Sequence, residues 1–243
     1  MGANRKTRKM FTKKAKTNIA MAAAIAAAVV VIDQAIKIEV KTHFALHEAR
    51  EITSWMYLYF VENSGMAFGV NIAGTLLLTI ARLLFVGFLV YYLARVARRA
   101  VPRGFIVCVA LIIAGAVGNI IDNAFYGLLF TESSEYSVAT SVPIGEGYGS
   151  FMEGKVVDMF YFPIIDTFLP SSWPLVGGRH FVFFSPIFNF ADSAITCGSL
   201  AILLFYRRYL ASPEKFPLLP GSRADSEESA HEAKDEDIDE KRQ

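Results

Sequence analysis

Charge is scarce over much of this chain. Residues 18–32 carry none, residues 72–93 only Arg82, residues 104–125 only Asp122, and residues 186–206 only Asp192. Cysteine is nearly missing too: Cys108 and Cys197 both fall inside those stretches and read as small buried hydrophobes, silent about redox compartment. The four histidines, His43, His47, His180 and His231, are scattered, and there is no HExxH. His43 and His47 share a helical spacing but lack a further ligand, so neither metal nor cofactor is expected. There is no GxSxG, no Walker A loop and no GxGxxG in a Rossmann pattern. No internal repeat is visible. No basic face lies within a folded region, so no nucleic-acid partner is expected.

What the chain has is long apolar blocks. It is 53% hydrophobic, and its net charge of +1 hides a basic start, an apolar middle and an acidic tail. Residues 1–17 hold Arg5, Lys6, Arg8, Lys9, Lys13, Lys14 and Lys16. A charged start before an apolar run also fits a cleaved secretory signal. An uncleaved first helix running on through Asp33 and Lys37 is the reading preferred here. Residues 72–93, 104–125 and 186–206 read as three further spans, each near the roughly 20 residues that a bilayer core of about 30 Å requires. Basic residues at the start, at Arg95–Arg103 and at Arg207-Arg208 would all be cytoplasmic under the positive-inside rule. Four spans satisfy all three. Both termini are then cytoplasmic, and outer segments 38–71 and 126–185 belong to a membrane domain spanning 18–211. Residues 212–243 read as an acidic disordered tail. Residues 52–61 (ITSWMYLYFV) read as one strand with Trp55, Tyr57 and Tyr59 on one face, and Asn63-Ser64-Gly65 as a turn. The expected fold is an all-α membrane protein: four transmembrane helices with a small extracytoplasmic β-rich cradle.

Ionisable groups inside such spans are costly and mark sites. Asp192 and Asn189, three apart, share a helix face in the last span. The best-placed partner is Asp158, in Val156-Val157-Asp158. Two carboxylates flanking one wet spot cannot both ionise cheaply, so the pair holds one proton, as an aspartyl protease requires. A buried hydrogen-bonding aspartate and a proton or cation site of a carrier are the alternatives, although a carrier usually shows repeated halves. Asp33 and Lys37 can pair at i, i+4, as a surface pair or as part of a site. Gly115, Gly118, Asn119 and Asp122 form a small and polar stripe, with Asp122 read as buried support. Arg82 has no partner that the sequence can name.

Five of these stretches together resemble the lipoprotein signal peptidases (signal peptidase II): Asp33-Gln34-Ala35-Ile36-Lys37, Asn63 to Gly69, Gly118 to Asp122, Val156-Val157-Asp158 and Phe188 to Asp192. Their order is the family's, and the likeness covers roughly residues 18–208. The resemblance implies an aspartic endopeptidase of the bacterial inner membrane, with its site near the outer face, cutting diacylglyceryl-modified prolipoproteins before the lipidated cysteine. It implies membrane lipids as partners and inhibition by globomycin. Asp158 and Asp192 match the catalytic pair. Asp33, Lys37, Asn63, Gly65, Asn119, Asp122, Asn189 and Ala191 match supporting or substrate-contacting positions. Two departures stand out. Asn123 occupies a position where the family usually has arginine, and the segments 131–155 and 159–191 look long, as if forming an extra outer lobe.

Overall fold

A computed structural model describes residues 2–64, 74–97 and 101–210. The first apolar block is one helix, α1 (Gly2–His43), which runs through Asp33 and Lys37 as expected. α2 (Gly74–Val96) and α3 (Arg103–Ile121) follow. α3 does not stop at Ile121. It widens into a π-helical turn, Asp122–Tyr126, and ends in the short α4 (Gly127–Leu129). Three stretches, Lys14–His43, Thr79–Val96 and Arg103–Leu129, are long and apolar enough to cross a membrane.

The last apolar segment departs from the sequence reading. It was expected to be helical from Pro186. Instead α5 spans Phe190–Phe205, and the residues before it form a strand. Ile187 and Phe188 pair with a neighbouring strand through backbone groups, and Asn189 then caps the helix. At 1.5 Å per residue the 16 residues of α5 reach roughly 24 Å, so this helix is shorter than a full bilayer core. Asp192 therefore sits in the first turn of α5. A short α6 (Arg207–Leu210) follows.

Residues 52–61 are likewise not one strand. β1 (Ala49–Thr53) and β2 (Met56–Asn63) form a hairpin that turns at Ser54-Trp55. β2 pairs antiparallel with β3 (Val156–Tyr161), and β3 with β6 (Ile187–Phe188), giving the order β1-β2-β3-β6. Tyr57 and Tyr59 do lie together, both packing on Tyr161, while Trp55 stacks on Phe162. Between β3 and β6 the chain makes a separate ribbon, β4 (Ile165–Phe168) with β5 (His180–Phe183). The Asn63-Ser64-Gly65 turn is described only as far as Ser64. Gly65 and the 212–243 tail lie outside the described residues.

α3 is the central helix, packing on α1, α2 and α5. Its residues Phe105, Ile106, Val109 and Ile113 form the main apolar core with Ala22, Tyr92, Val96 and Ile202. The two glycines of its stripe permit close approach of α5 and α1. A methyl group at Gly115 would lie 2.2 Å from the Ala191 carbonyl, and one at Gly118 would lie 2.6 Å from the Asp33 carboxylate. A second core, with Phe60, Val157, Met159, Val40 and Tyr126, binds the sheet to the ends of α1 and α3. Cys108 is buried as expected, but Cys197 is exposed on α5.

Candidate active site

Where the helices meet the sheet, the polar residues of the five motifs converge. Asp33 and Lys37 are one turn apart on α1, and both are fully buried. Lys37 Nζ stands 3.0 Å from Asp33 and 2.8 Å from Asp122, and it donates to Asn119 Oδ1 at 2.8 Å. The surface-pair alternative for Asp33 and Lys37 is thereby set aside. A buried ammonium survives because three oxygens satisfy its three donors. Asp33 in turn accepts from the backbone N–H of Ala191 at 2.9 Å, which fixes the first turn of α5 against α1.

Asp122 is buried and bonded through both carboxylate oxygens. Its Oδ1 accepts from Gln34 Nε2 at 2.8 Å, and its Oδ2 from the backbone N–H of Val157 at 3.2 Å. The second bond holds β3 one residue before Asp158. Gln34 also donates to the Gly118 carbonyl and accepts from the Tyr126 hydroxyl. Gln34 and Tyr126 were not singled out for roles, although Gln34 lies within the first motif. A second ionic knot was missed as well: Lys41 pairs with Glu62 and donates to Ser133 at 3.0 Å, and Ser133 donates to Glu62 at 2.8 Å. Its one visible signal was the continuation of the 33, 37, 41 spacing on α1.

Asp158 and Asp192 are joined through two amides. Asn189 Nδ2 donates to Asp158 Oδ1 at 2.7 Å and lies 3.1 Å from Asn119 Oδ1. Asn119 Nδ2 donates to Asp192 Oδ1 at 2.9 Å. Asn189 also caps α5: its side chain accepts from the Asp192 N–H at 2.8 Å, while the Asp192 carboxylate accepts from the Asn189 N–H. This reciprocal capping box aims the Asp192 side chain back at the start of its helix. Asn63 on β2 also hydrogen-bonds to Asp158. Asp158 is buried and Asp192 is half-buried. Burial first, and the nearby Asp192 second, push the Asp158 carboxyl up to about 7, against the bond from Asn189. The burial of Asp158 thus favours its protonated form well above the usual carboxylate range.

Of the sequence-predicted residues, Asp33, Lys37, Asn63, Asn119, Asp122, Asp158, Asn189, Ala191 and Asp192 share this connected cluster. No group of three or more potential metal ligands occurs among the described residues.

The sequence matches a family model described as signal peptidase (SPase) II over residues 25–208. The chain belongs to the signal peptidase II family. The lipoprotein signal peptidase of Porphyromonas gingivalis is 44% identical over 213 residues, covering 86% of this chain and 94% of that one. That of Amoebophilus asiaticus is 31% identical over 219 residues, covering 87% and 88%. Two solved structures of bacterial membrane enzymes share the fold, with TM-scores of 0.52 and 0.51. At 22% and 23% identity, they cover 79% and 76% of this chain and 90% and 92% of theirs. Signal peptidase II enzymes are aspartic proteases, in keeping with a site built from carboxylates.

Proposed function

We propose that Asp158 and Asp192 are the catalytic pair with which this signal peptidase II removes signal peptides from prolipoproteins. The observation that carries the assignment is the path Asp158–Asn189–Asn119–Asp192, which ties two carboxylates from different elements into one hydrogen-bonded unit. Asp192, more open, takes a proton from the attacking water. Asp158, protonated near neutral pH, donates to the scissile carbonyl as water adds. Lys37, held by Asp33 and Asp122, fixes the Asn119 carbonyl and so turns the Asn119 amide toward Asp192. A carrier using the same carboxylates has no support, since the matched family and relatives are peptidases.

The finer reading follows from the charge layout and the resemblance. α5 serves as the fourth span together with its flanks, both termini lie in the cytoplasm of a bacterial inner membrane, and the sheet cradles the site at the outer face. The substrate's diacylglyceryl cysteine is held at that surface by its acyl chains, so the bond before it meets the pair without leaving the bilayer boundary. The test is cleavage of a diacylglyceryl-modified prolipoprotein by purified protein, with and without globomycin. Asp158→Asn and Asp192→Asn should each lose at least roughly a hundredfold in rate while still unfolding cooperatively. The double variant should be little worse than either, because the two act as a unit. Near-full activity of either single variant would overturn the assignment.

A further inference from the structure

Two features that the sequence left unexplained meet in the structure. Arg82 is a guanidinium on an apolar helix, and Asn123 is the amide that follows Asp122. Arg82 Nη1 donates to Asn123 Oδ1 at 2.7 Å. Asn123 is buried, and its Nδ2 donates to the Gly154 carbonyl at 2.8 Å. The amide is thus held from both ends, and it fixes where the guanidinium stands. Asn123 lies four residues beyond Asn119, the residue that bonds Asp192. At helical rise this places Asn123, which holds the Arg82 guanidinium, roughly 6 Å along the helix from Asn119. The π-helical turn that begins at Asp122 carries Asn123, and such turns are frequent at functional sites.

The surroundings of Arg82 are open on one side. The far half of α2 belongs to the apolar core through Val86, Leu89, Tyr92 and Leu93. Around Arg82, Leu77, Ile80, Leu83, Leu84 and Phe85 are exposed, as are Phe88, Val90 and Tyr91 further along, and among the described residues α2 packs chiefly on α3. Arg82 is half-buried at the edge of this uncovered wall. One amide oxygen takes one of the five N–H donors that a guanidinium carries.

A membrane-spanning signal peptide is helical, with its backbone bonds closed. To be cut, it must unwind around the scissile bond. The carbonyls freed there enter a protein site at the bilayer boundary, where a buried acceptor left unsatisfied costs free energy. A planar, permanently charged donor on the wall beside the catalytic pair meets that need. We infer that Arg82 is a substrate-positioning residue, whose guanidinium donates to backbone carbonyls of the unwound signal peptide next to the cleavage point. This inference rests on the catalytic reading above.

The test measures KM and kcat for the diacylglyceryl-modified prolipoprotein. Arg82→Met should raise KM roughly ten- to a hundredfold, the worth of one or two charged hydrogen bonds, with kcat within about threefold. Arg82→Lys, which keeps the cation without the fork, should fall between. Exchanging the two groups, Arg82→Asn with Asn123→Arg, should recover most of the KM. In the cleavage-dead Asp192→Asn background, equilibrium binding of the same substrate should weaken by the same factor on adding Arg82→Met. If Arg82 only braces Asn123 and the loop at Gly154, then KM stays put while kcat and the unfolding midpoint fall together, and the inference is overturned. Should Arg82→Met not fold, an unchanged KM in Arg82→Lys together with no recovery in the exchange overturns it equally. A wild-type protein that fails to cleave the substrate overturns the catalytic reading and this inference with it. Normal cleavage with an unaltered KM in Arg82→Met overturns the inference alone.

Discussion

Asp33, Lys37, Asn119, Asp122 and Asn189 are buried, and each has named partners. Ile165, Phe168, Trp173, Leu175 and Phe183, on the ribbon inserted between Asp158 and Asp192, are apolar and exposed. Both regions invert the usual placement of polar and apolar groups. In the first, the cost of burial is met bond by bond, so every member is pinned by its neighbours. In the second, β4 and β5 pack chiefly on each other, with His180 bonded to Asp166 and packed on Phe168. The buried cluster is therefore expected to fail as a whole when one member is removed, and the ribbon to tolerate change.

The largest effect is expected at Lys37. Lys37→Met keeps much of the volume and leaves Asp33 and Asp122 buried without their cation. Breaking a buried pair in this way typically costs about 3–5 kcal/mol. The variant should lose most of its cooperative unfolding transition in detergent, and cleavage with it. A stable, active Lys37→Met protein would mean that the cluster is not coupled as described.

Asp158 gives the next effect, and its sign depends on pH. Its folded carboxyl lies at about 7, above the usual 3.8. The folded form therefore binds the proton more tightly than the unfolded chain. That contribution is present below pH 4 and is lost as pH rises through 7. Asp158→Asn, which cannot ionise, should unfold roughly 10 °C higher than the parent at pH 8 and no higher at pH 4. The same group sets the activity limb: kcat/KM should fall as pH rises past about 7, where the acid loses its proton. An equal midpoint at pH 8 would show that Asp158 is not held protonated by its burial.

The same contrast separates what the sequence disclosed from what it did not. The pair Asp33 and Lys37 was legible because both partners lie on one helix at fixed spacing, and the stripe Gly115, Gly118, Asn119 and Asp122 because its members share one helix face, although their partners lie on other elements. The pairing of Asp158 with Asp192 was legible because few carboxylates flank the apolar blocks. The partner of Arg82 was not, since Asn123 stands 41 residues away on another helix. The start of α5 was misjudged because Pro186 to Phe188 is apolar, and hydrophobicity alone does not distinguish a short buried strand from a helical turn. There the pairing of Phe188 with Phe160 decides, a tertiary contact invisible to local pattern. The hairpin turn at Ser54-Trp55 was hidden by strand-forming residues on both sides.

The smallest effect is expected on the ribbon. Ile165 and Phe183 are cross-strand partners, on the same face as Phe181. Both are about half exposed, at 49% and 52%. Replacing both by threonine keeps the strand preference and removes most of the apolar area. Little of that area is covered in the folded chain, so stability should move by no more than about 0.5 kcal/mol. Cleavage in detergent should stay within about twofold. Unfolding midpoint and initial rate on the same preparation check both. A loss comparable to that of Lys37→Met would show that the ribbon closes on the site when substrate is bound, and the two regions would then be one functional unit.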